Sequence, residues 1–281
     1  MQLAIPCIGF LSCMLFISCG KGGSDSSGTT TTPTTPTSPV TVTYQLVWSD
    51  EFDTGTMPDT SKWSYDTGGN GWGNNELEYY TNARPENARV AGGNLIIEAR
   101  KESFGGKNYT SARLLTKNKA QWTYGKFEIR ARLPKGKGTW PAIWALAATN
   151  PLNWPDDGEL DIMEEVGYAP NIIYGTAHNK LYNGANGKQK GGNVLIKDAQ
   201  DSFHVYSMEW TGSQVSWLVD GNVYFTYNNP NLGTDSWPYL KDFFLILNVA
   251  IGGNWGGAQG VDDSVFPQSM LVDYVRVYQK K

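Results

Sequence analysis

With 281 residues and 31.0 kDa the chain is long enough for one large domain plus a tail, and its net charge of −4 with a pI near 5.3 leaves no basic surface for nucleic acid. Thirty-two Gly, 15 Tyr and 11 Trp, with 13% aromatic residues and few runs of helical period, predict many strands, tight turns and a ring-lined groove. There are two histidines, His178 and His204, and Cys7, Cys13 and Cys19 all precede the globular part, which argues against a zinc site and against a disulfide framework there.

In chain order, the apolar run from Leu3 to Ile17 is too short for a membrane span and suits a signal h-region. Phe16-Ile17-Ser18-Cys19-Gly20 resembles a bacterial lipobox, which implies a signal peptide over 1–18 and a lipid anchor on Cys19. The expectation is an exported lipoprotein at the outer membrane or cell surface, with the periplasmic face as the alternative. Residues 19–41 are Gly, Ser, Thr and Pro with almost nothing to bury, so they are expected to be a disordered tether. The domain is placed at 42–281.

Tyr44–Trp48 alternates and predicts the first strand. Further strands are predicted at Asn94–Arg100, Ser111–Thr116 and Gly125–Leu133, then at Ile172–His178, His204–Thr211, Gln214–Val219, Asn222–Tyr227, Phe243–Ala250 and Met270–Tyr278. Asp220-Gly221 between two alternating runs is the clearest hairpin signal. Many short strands without intervening helices predict an all-β fold, a jelly-roll sandwich. The sequence shows no phosphate-binding loop, dinucleotide fingerprint, metalloprotease helix or nucleophile elbow.

Gly158-Glu159-Leu160-Asp161-Ile162-Met163-Glu164-Glu165 alternates carboxylates with apolar residues. On a strand, Glu159 and Asp161 share one face, while Glu164, five positions after Glu159, falls on the buried face. A β-bulge at Ile162 or Met163 corrects the phase and returns Glu164 to the side of the other two acids. Three acids then line one wall, as glycoside hydrolysis by paired carboxylates requires. A calcium loop and a solvated strand edge are the two blander readings of the same cluster, although calcium loops do not alternate their ligands with Leu, Ile and Met.

Several stretches resemble glycoside hydrolase family 16, in particular its bacterial laminarinase-like members. They are Trp48-Ser49-Asp50-Glu51-Phe52, Asn74-Asn75-Glu76-Leu77-Glu78-Tyr79-Tyr80-Thr81, Tyr124-Gly125-Lys126-Phe127-Glu128, Gly138-Thr139-Trp140-Pro141-Ala142-Ile143-Trp144, the acidic motif, Gly175-Thr176-Ala177-His178 and Val272-Asp273-Tyr274-Val275-Arg276-Val277-Tyr278. The resemblance implies a jelly roll of two antiparallel sheets with a concave glycan-binding cleft. By it, Glu159 is the nucleophile, Glu164 the acid/base, and Asp161 hydrogen-bonds Glu159. It makes Trp140 and Trp144 sugar platforms and places Asn75, Arg113 and Trp255 at sugar hydroxyls or ring faces. His178 is expected to reach Glu164 or a sugar hydroxyl, with a structural histidine as the alternative. Catalysis needs no cofactor, but Glu51, the Gly93 carbonyl and Asp273 match a structural calcium site. The implied activity is that of a monomeric retaining endo-β-1,3-glucanase on β-1,3- or mixed β-1,3/1,4-glucans. The extra residue before Glu164 disfavours a lichenase. Alternatives are hydrolysis of agar, porphyran or carrageenan, a transglycosylase, and a non-catalytic glucan-binding protein.

Overall fold

The structure is a computed structural model that describes residues 43–281. The expected signal segment, Cys19 and the tether lie outside the described residues. The strands are β1 (Tyr44–Asp50), β2 (Ser64–Asp66), β3 (Glu78–Tyr80), β4 (Ala88–Ala91), β5 (Asn94–Phe104), β6 (Lys107–Ser111), β7 (Arg113–Leu115), β8 (Gly125–Arg132) and β9 (Thr139–Ala147). They continue with β10 (Glu159–Glu164), β11 (Ile172–His178), β12 (Lys190–Leu195), β13 (His204–Trp210), β14 (Gln214–Val219), β15 (Asn222–Asn228), β16 (Phe243–Ile251) and β17 (Gln268–Lys280).

Alternation decides which face each strand buries. In β8, Gly125, Phe127, Ile129 and Ala131 are buried and the residues between them are not. One sheet runs β15-β14-β13-β8-β17-β5-β6-β3, with β1 also on β17 and β4 on β5; the other runs β12-β11-β10-β9-β16-β7-β2. Between them lies one large apolar cluster, which includes Phe127, Ile129, Ile143, Leu160, Trp210, Trp217, Leu245 and Val275. Each fully buried Leu, Ile or Phe there contributes about 1.5–3 kcal/mol. This is the expected jelly-roll sandwich, and β16, buried at every position, is its central rib.

Two local expectations are corrected. The run Ser111–Thr116 is not one strand: Ser111 ends β6 in one sheet and Arg113 begins β7 in the other. The edge pair β3–β6 is parallel, so that sheet is not purely antiparallel. The short strands β2, β3, β4 and β12 carried no period that sequence could show. Asp220-Gly221 does form the β14–β15 hairpin, with φ of 50° and 77° at the two residues.

β1 and β5 follow one another along the same flank of β17, with Val272 opposite Leu95 and Val275 opposite Asp50. Glu51, Gly93 and Asp273 are thereby placed around one junction. Oxygen donors of this kind fit calcium. Both carboxylates, however, already carry a guanidinium: Glu51 accepts from Arg276 at 2.8 Å, and Asp273 from Arg130. The pair holds Glu51 below its usual pKa, chiefly through the Arg276 hydrogen bonds.

Candidate active site

β10 sets Glu159 opposite His178 and Asp161 opposite Thr176, then jumps to Glu164 opposite Tyr174; on its other side Asp161 faces Trp144 and Met163 faces Ile143. Ile162 is therefore the extra residue of a bulge, where the phase of the motif requires it. Leu160, Ile162 and Met163 enter the core, while Glu159 and Glu164 stay partly exposed on the opposite face.

The other sheet supplies a clamp. Trp217 of β14, fully buried, donates its indole N–H to the Asp161 carbonyl at 2.7 Å. Opposite the bulge on β11 lies Gly175, where a Cβ would come within 2.3 Å of Trp217 Cδ1 and 2.4 Å of the Tyr224 hydroxyl. Glycine leaves room for the indole, and the indole satisfies a carbonyl at the irregular point of the ladder.

The electrostatics separate the three acids. Burial pushes Glu164 up to about 7, aided by the Glu159 charge and opposed by His178 and by the Trp140 N–H, which donates to Oε1 at 3.0 Å. Burial, then the charges of Glu159 and Glu164, raise Asp161 well above the usual carboxylate range. Glu159 accepts from the Trp154 indole at 2.8 Å. Two expected contacts are corrected. Asp161 does not bond Glu159, and His178 does not bond Glu164. Instead His178 Nε2 stands between the first two acids, 3.0 Å from Asp161 Oδ2 and 3.8 Å from Glu159 Oε1, because the register puts His178 directly opposite Glu159.

His178 Nδ1 accepts the Gly184 backbone N–H at 3.0 Å. Although burial disfavours its charge, the hydrogen bond to Asp161 and the charges of all three acids pull the ring's pKa upward. The Gly184 N–H nevertheless requires a lone pair on Nδ1, so the ring proton sits on Nε2, 3.0 Å from Asp161 Oδ2. That tautomer bears on metals too. Glu159, Asp161 and His178 bring ligand atoms within 4.8 Å of one another, but a protonated Nε2 is no ligand.

Rings surround the acids. Trp140 and Trp144 project from one face of β9, Trp255 packs edge-on against Trp140 at 5.6 Å and Tyr174 at 5.1 Å, and Asn75 donates to Asn254 at 2.8 Å beside them. Arg113 is placed differently from the expectation of a sugar contact. It is nearly buried, paired with Asp66 at 3.0 Å and sandwiched between the rings of Trp72 and Trp144 at 4.9 and 4.7 Å. Sequence reading missed Trp154, Trp72, Asn248 and Trp217; only Trp154, five residues before Glu159 in Asn153-Trp154-Pro155, carried a local signal.

Glu165, next to the acid/base, points the other way. It is fully buried, accepting at one oxygen from the Asn171 backbone and from Gln200 at 3.1 Å while its second oxygen has no partner; burial raises its pKa from 4.5 to about 7. The unfolded chain releases this proton near 4.5 and the native one holds it to about 7, so the stability it brings below 4.5 is lost as pH rises through 7. The loss is roughly 3 kcal/mol. Denaturant melts at pH 5 and pH 8 are expected to show the domain weaker at pH 8, and Glu165→Gln is expected to narrow that difference by its share, the raised Glu164, Asp161 and Glu78 carrying the rest.

A second pH effect concerns activity. Trp140→Phe deletes an N–H that favours ionised Glu164, so its pKa rises. The alkaline limb of kcat/KM, expected near pH 7 in the parent, should move upward in the variant.

A proton-holding Glu and an N–H-supported carboxylate on one strand, set among tryptophans on the concave face of a jelly roll, define a carboxylate-based glycoside hydrolase. The chain belongs to glycosyl hydrolases family 16, whose sequence model matches residues 75–276. It is 52% identical over 274 residues to a beta-glucanase of Rhodothermus marinus, covering 94% of this chain and 92% of that protein. The X-ray structure of the laminarinase from the same organism superposes with a TM-score of 0.84 at 54% identity, over 85% of this chain and 99% of that one. SCLam, a non-specific endo-beta-1,3(4)-glucanase of the family crystallised as a variant with a glucose oligosaccharide at its active site, superposes with a TM-score of 0.82 at 50% identity, over 84% and 95% of the two chains.

Proposed function

We propose that this protein is a retaining endo-β-1,3-glucanase acting on β-1,3- or mixed β-1,3/1,4-glucans. The observation that carries the chemistry is the division of labour between Glu164, whose proton is kept to about pH 7, and Glu159, held by the Trp154 N–H on the same strand face. Glu159 attacks the anomeric carbon as the bond to the leaving oxygen breaks, and Glu164 gives that oxygen its proton. Glu164, now a carboxylate, takes a proton from water. The resulting hydroxide character attacks the glycosyl ester, frees Glu159 and restores both residues to their starting states. His178, 3.0 Å from Asp161, keeps that acid in place beside the nucleophile. The names of the relatives above support glucan as the substrate.

Reducing-end release from laminarin, lichenan, agarose, porphyran and carrageenan tests the reading. Cleavage of laminarin with the galactan substrates untouched is the expected result; cleavage of a galactan alone would sink it. Longer products from short laminarin oligosaccharides would move the reading to a transglycosylase. Binding without cleavage would make it a glucan-binding protein.

The same proposal includes a monomer, anchored through a lipid on Cys19 and exported to the cell surface. Palmitate labelling of the full chain, lost in Cys19→Ser, tests the anchor, and sedimentation tests the monomer. It also includes a structural calcium held by Glu51, the Gly93 carbonyl and Asp273, displacing Arg276 and Arg130. At a hundredfold excess over Kd, such an ion would add about 2.7 kcal/mol and raise Tm by roughly 5–10 °C. An unchanged Tm between calcium and chelator would remove the ion from the proposal.

A further inference from the structure

The Asn74–Thr81 stretch has no part in the chemistry above, yet its acids and Tyr80 are among the most deeply buried polar groups of the cleft wall. Glu76 is 5% exposed and Glu78 and Tyr80 are 0% exposed. From Glu76 a single file of hydrogen bonds runs to the cleft surface. The Tyr80 hydroxyl donates to Glu76 Oε2 at 3.0 Å, Asn248 Nδ2 donates to the Tyr80 oxygen at 3.0 Å, and the Trp144 indole N–H donates to Asn248 Oδ1 at 2.8 Å. Asn74 Nδ2 caps the other Glu76 oxygen at 3.2 Å.

Every link in this file has a direction. Burial, reinforced by Glu78 and Glu76, keeps the Tyr80 hydroxyl protonated, so it must spend its single proton on a neighbour. The Trp144 indole N–H can only donate, which fixes the Asn248 oxygen; the Asn248 nitrogen then donates to the Tyr80 oxygen, and the Tyr80 proton goes to Glu76. Glu78 is kept protonated by burial and by the adjacent Glu76, while its Oε2 accepts the Ile251 N–H at 2.7 Å. On its other side the Trp144 ring rests against the Arg113 guanidinium, itself braced by Trp72 and Asp66.

We infer that Glu76, Tyr80 and Asn248 form a positioning relay that holds the Trp144 ring at the angle a glucosyl unit stacks on, so that residues behind the cleft set glucan affinity without touching sugar. This deepens the glucanase reading and rests on it. Trp144 offers a ring face and takes no part in bond making or breaking, so tilting it weakens the bound ground state and the transition state alike.

The test is steady-state kinetics of the full chain on laminarin for Tyr80→Phe, Trp144→Phe and the double variant. Losing one hydrogen bond of this kind is expected to raise KM roughly 3–10-fold in either single variant, with kcat within about twofold of the parent. The double variant is expected to be no worse than the weaker single, because the file is already cut. Trp144→Phe alters only a partly exposed ring, so it reads the last link independently should Tyr80→Phe fold poorly. Additive KM effects, or a fall in kcat with KM preserved in either single variant, would overturn the relay. A parent that leaves laminarin uncut would instead sink the glucanase reading, and the relay as an affinity device with it.

Discussion

Glu159→Gln is expected to lower laminarin hydrolysis by roughly 10³-fold or more while the protein still binds glucan and melts near the parent temperature. The amide keeps the shape and can still accept the Trp154 N–H, but it cannot form the glycosyl ester. Glu164→Gln should be about as damaging on laminarin, where the leaving sugar needs a proton, and much less so on an aryl glycoside whose leaving group does not. Added azide separates the two roles. With Glu164→Ala it is expected to give a β-glycosyl azide by attack on the covalent intermediate. With Glu159→Ala it is expected to give the α-azide by direct displacement. The opposite pairing would exchange the assignments. Glu159→Gln also removes a charge that raises Glu164, so the pKa of Glu164 in that variant should fall below about 7.

The second large effect is expected far from the sugar. Gly175→Ala puts a methyl where Trp217 and the Tyr224 hydroxyl already lie, at 2.3 and 2.4 Å. Either the indole leaves the Asp161 carbonyl or β11 moves off the bulge. Overpacking of this kind costs about 1–3 kcal/mol, and an orphaned buried carbonyl a similar amount again. The Tm of the domain is then expected to fall by roughly 5–15 °C. A displacement of β10 by as little as ~1 Å should cost about 10² in kcat, since Asp161 and Glu164 flank the clamped carbonyl. Trp217→Phe cuts the hydrogen bond without the clash and should reproduce the loss of kcat with a smaller loss of stability. If Trp217→Phe melts lower but keeps kcat, the clamp is structural only.

How much of this was legible depends on how local each feature is. The strands β8 and β17 follow from their own alternation, and β16 from its continuous apolar run. The bulge follows from parity: five residues separate two carboxylates that must share a face, and an extra residue is the economical correction. Ser111–Thr116 reads as one strand because its residues are uniformly strand-like; the switch of sheets at Ala112 depends on what lies beside each half, Tyr80 on one side and Leu247 on the other.

From the residues alone came the all-β class, the acidic strand and its bulge, because burial parity and side-chain chemistry are properties of neighbouring positions; the tryptophans of β9 came from the family resemblance. Only the tertiary structure decided which N–H meets which acid: His178 on Asp161 rather than Glu164, Trp154 on Glu159, Trp217 under the bulge, and Arg113 between two rings instead of at a sugar. Those partners lie up to 56 residues apart in the chain. Hydrogen bonds and ring packing have a reach of a few ångströms, so they are set by the register and stacking of the two sheets, which no single segment encodes.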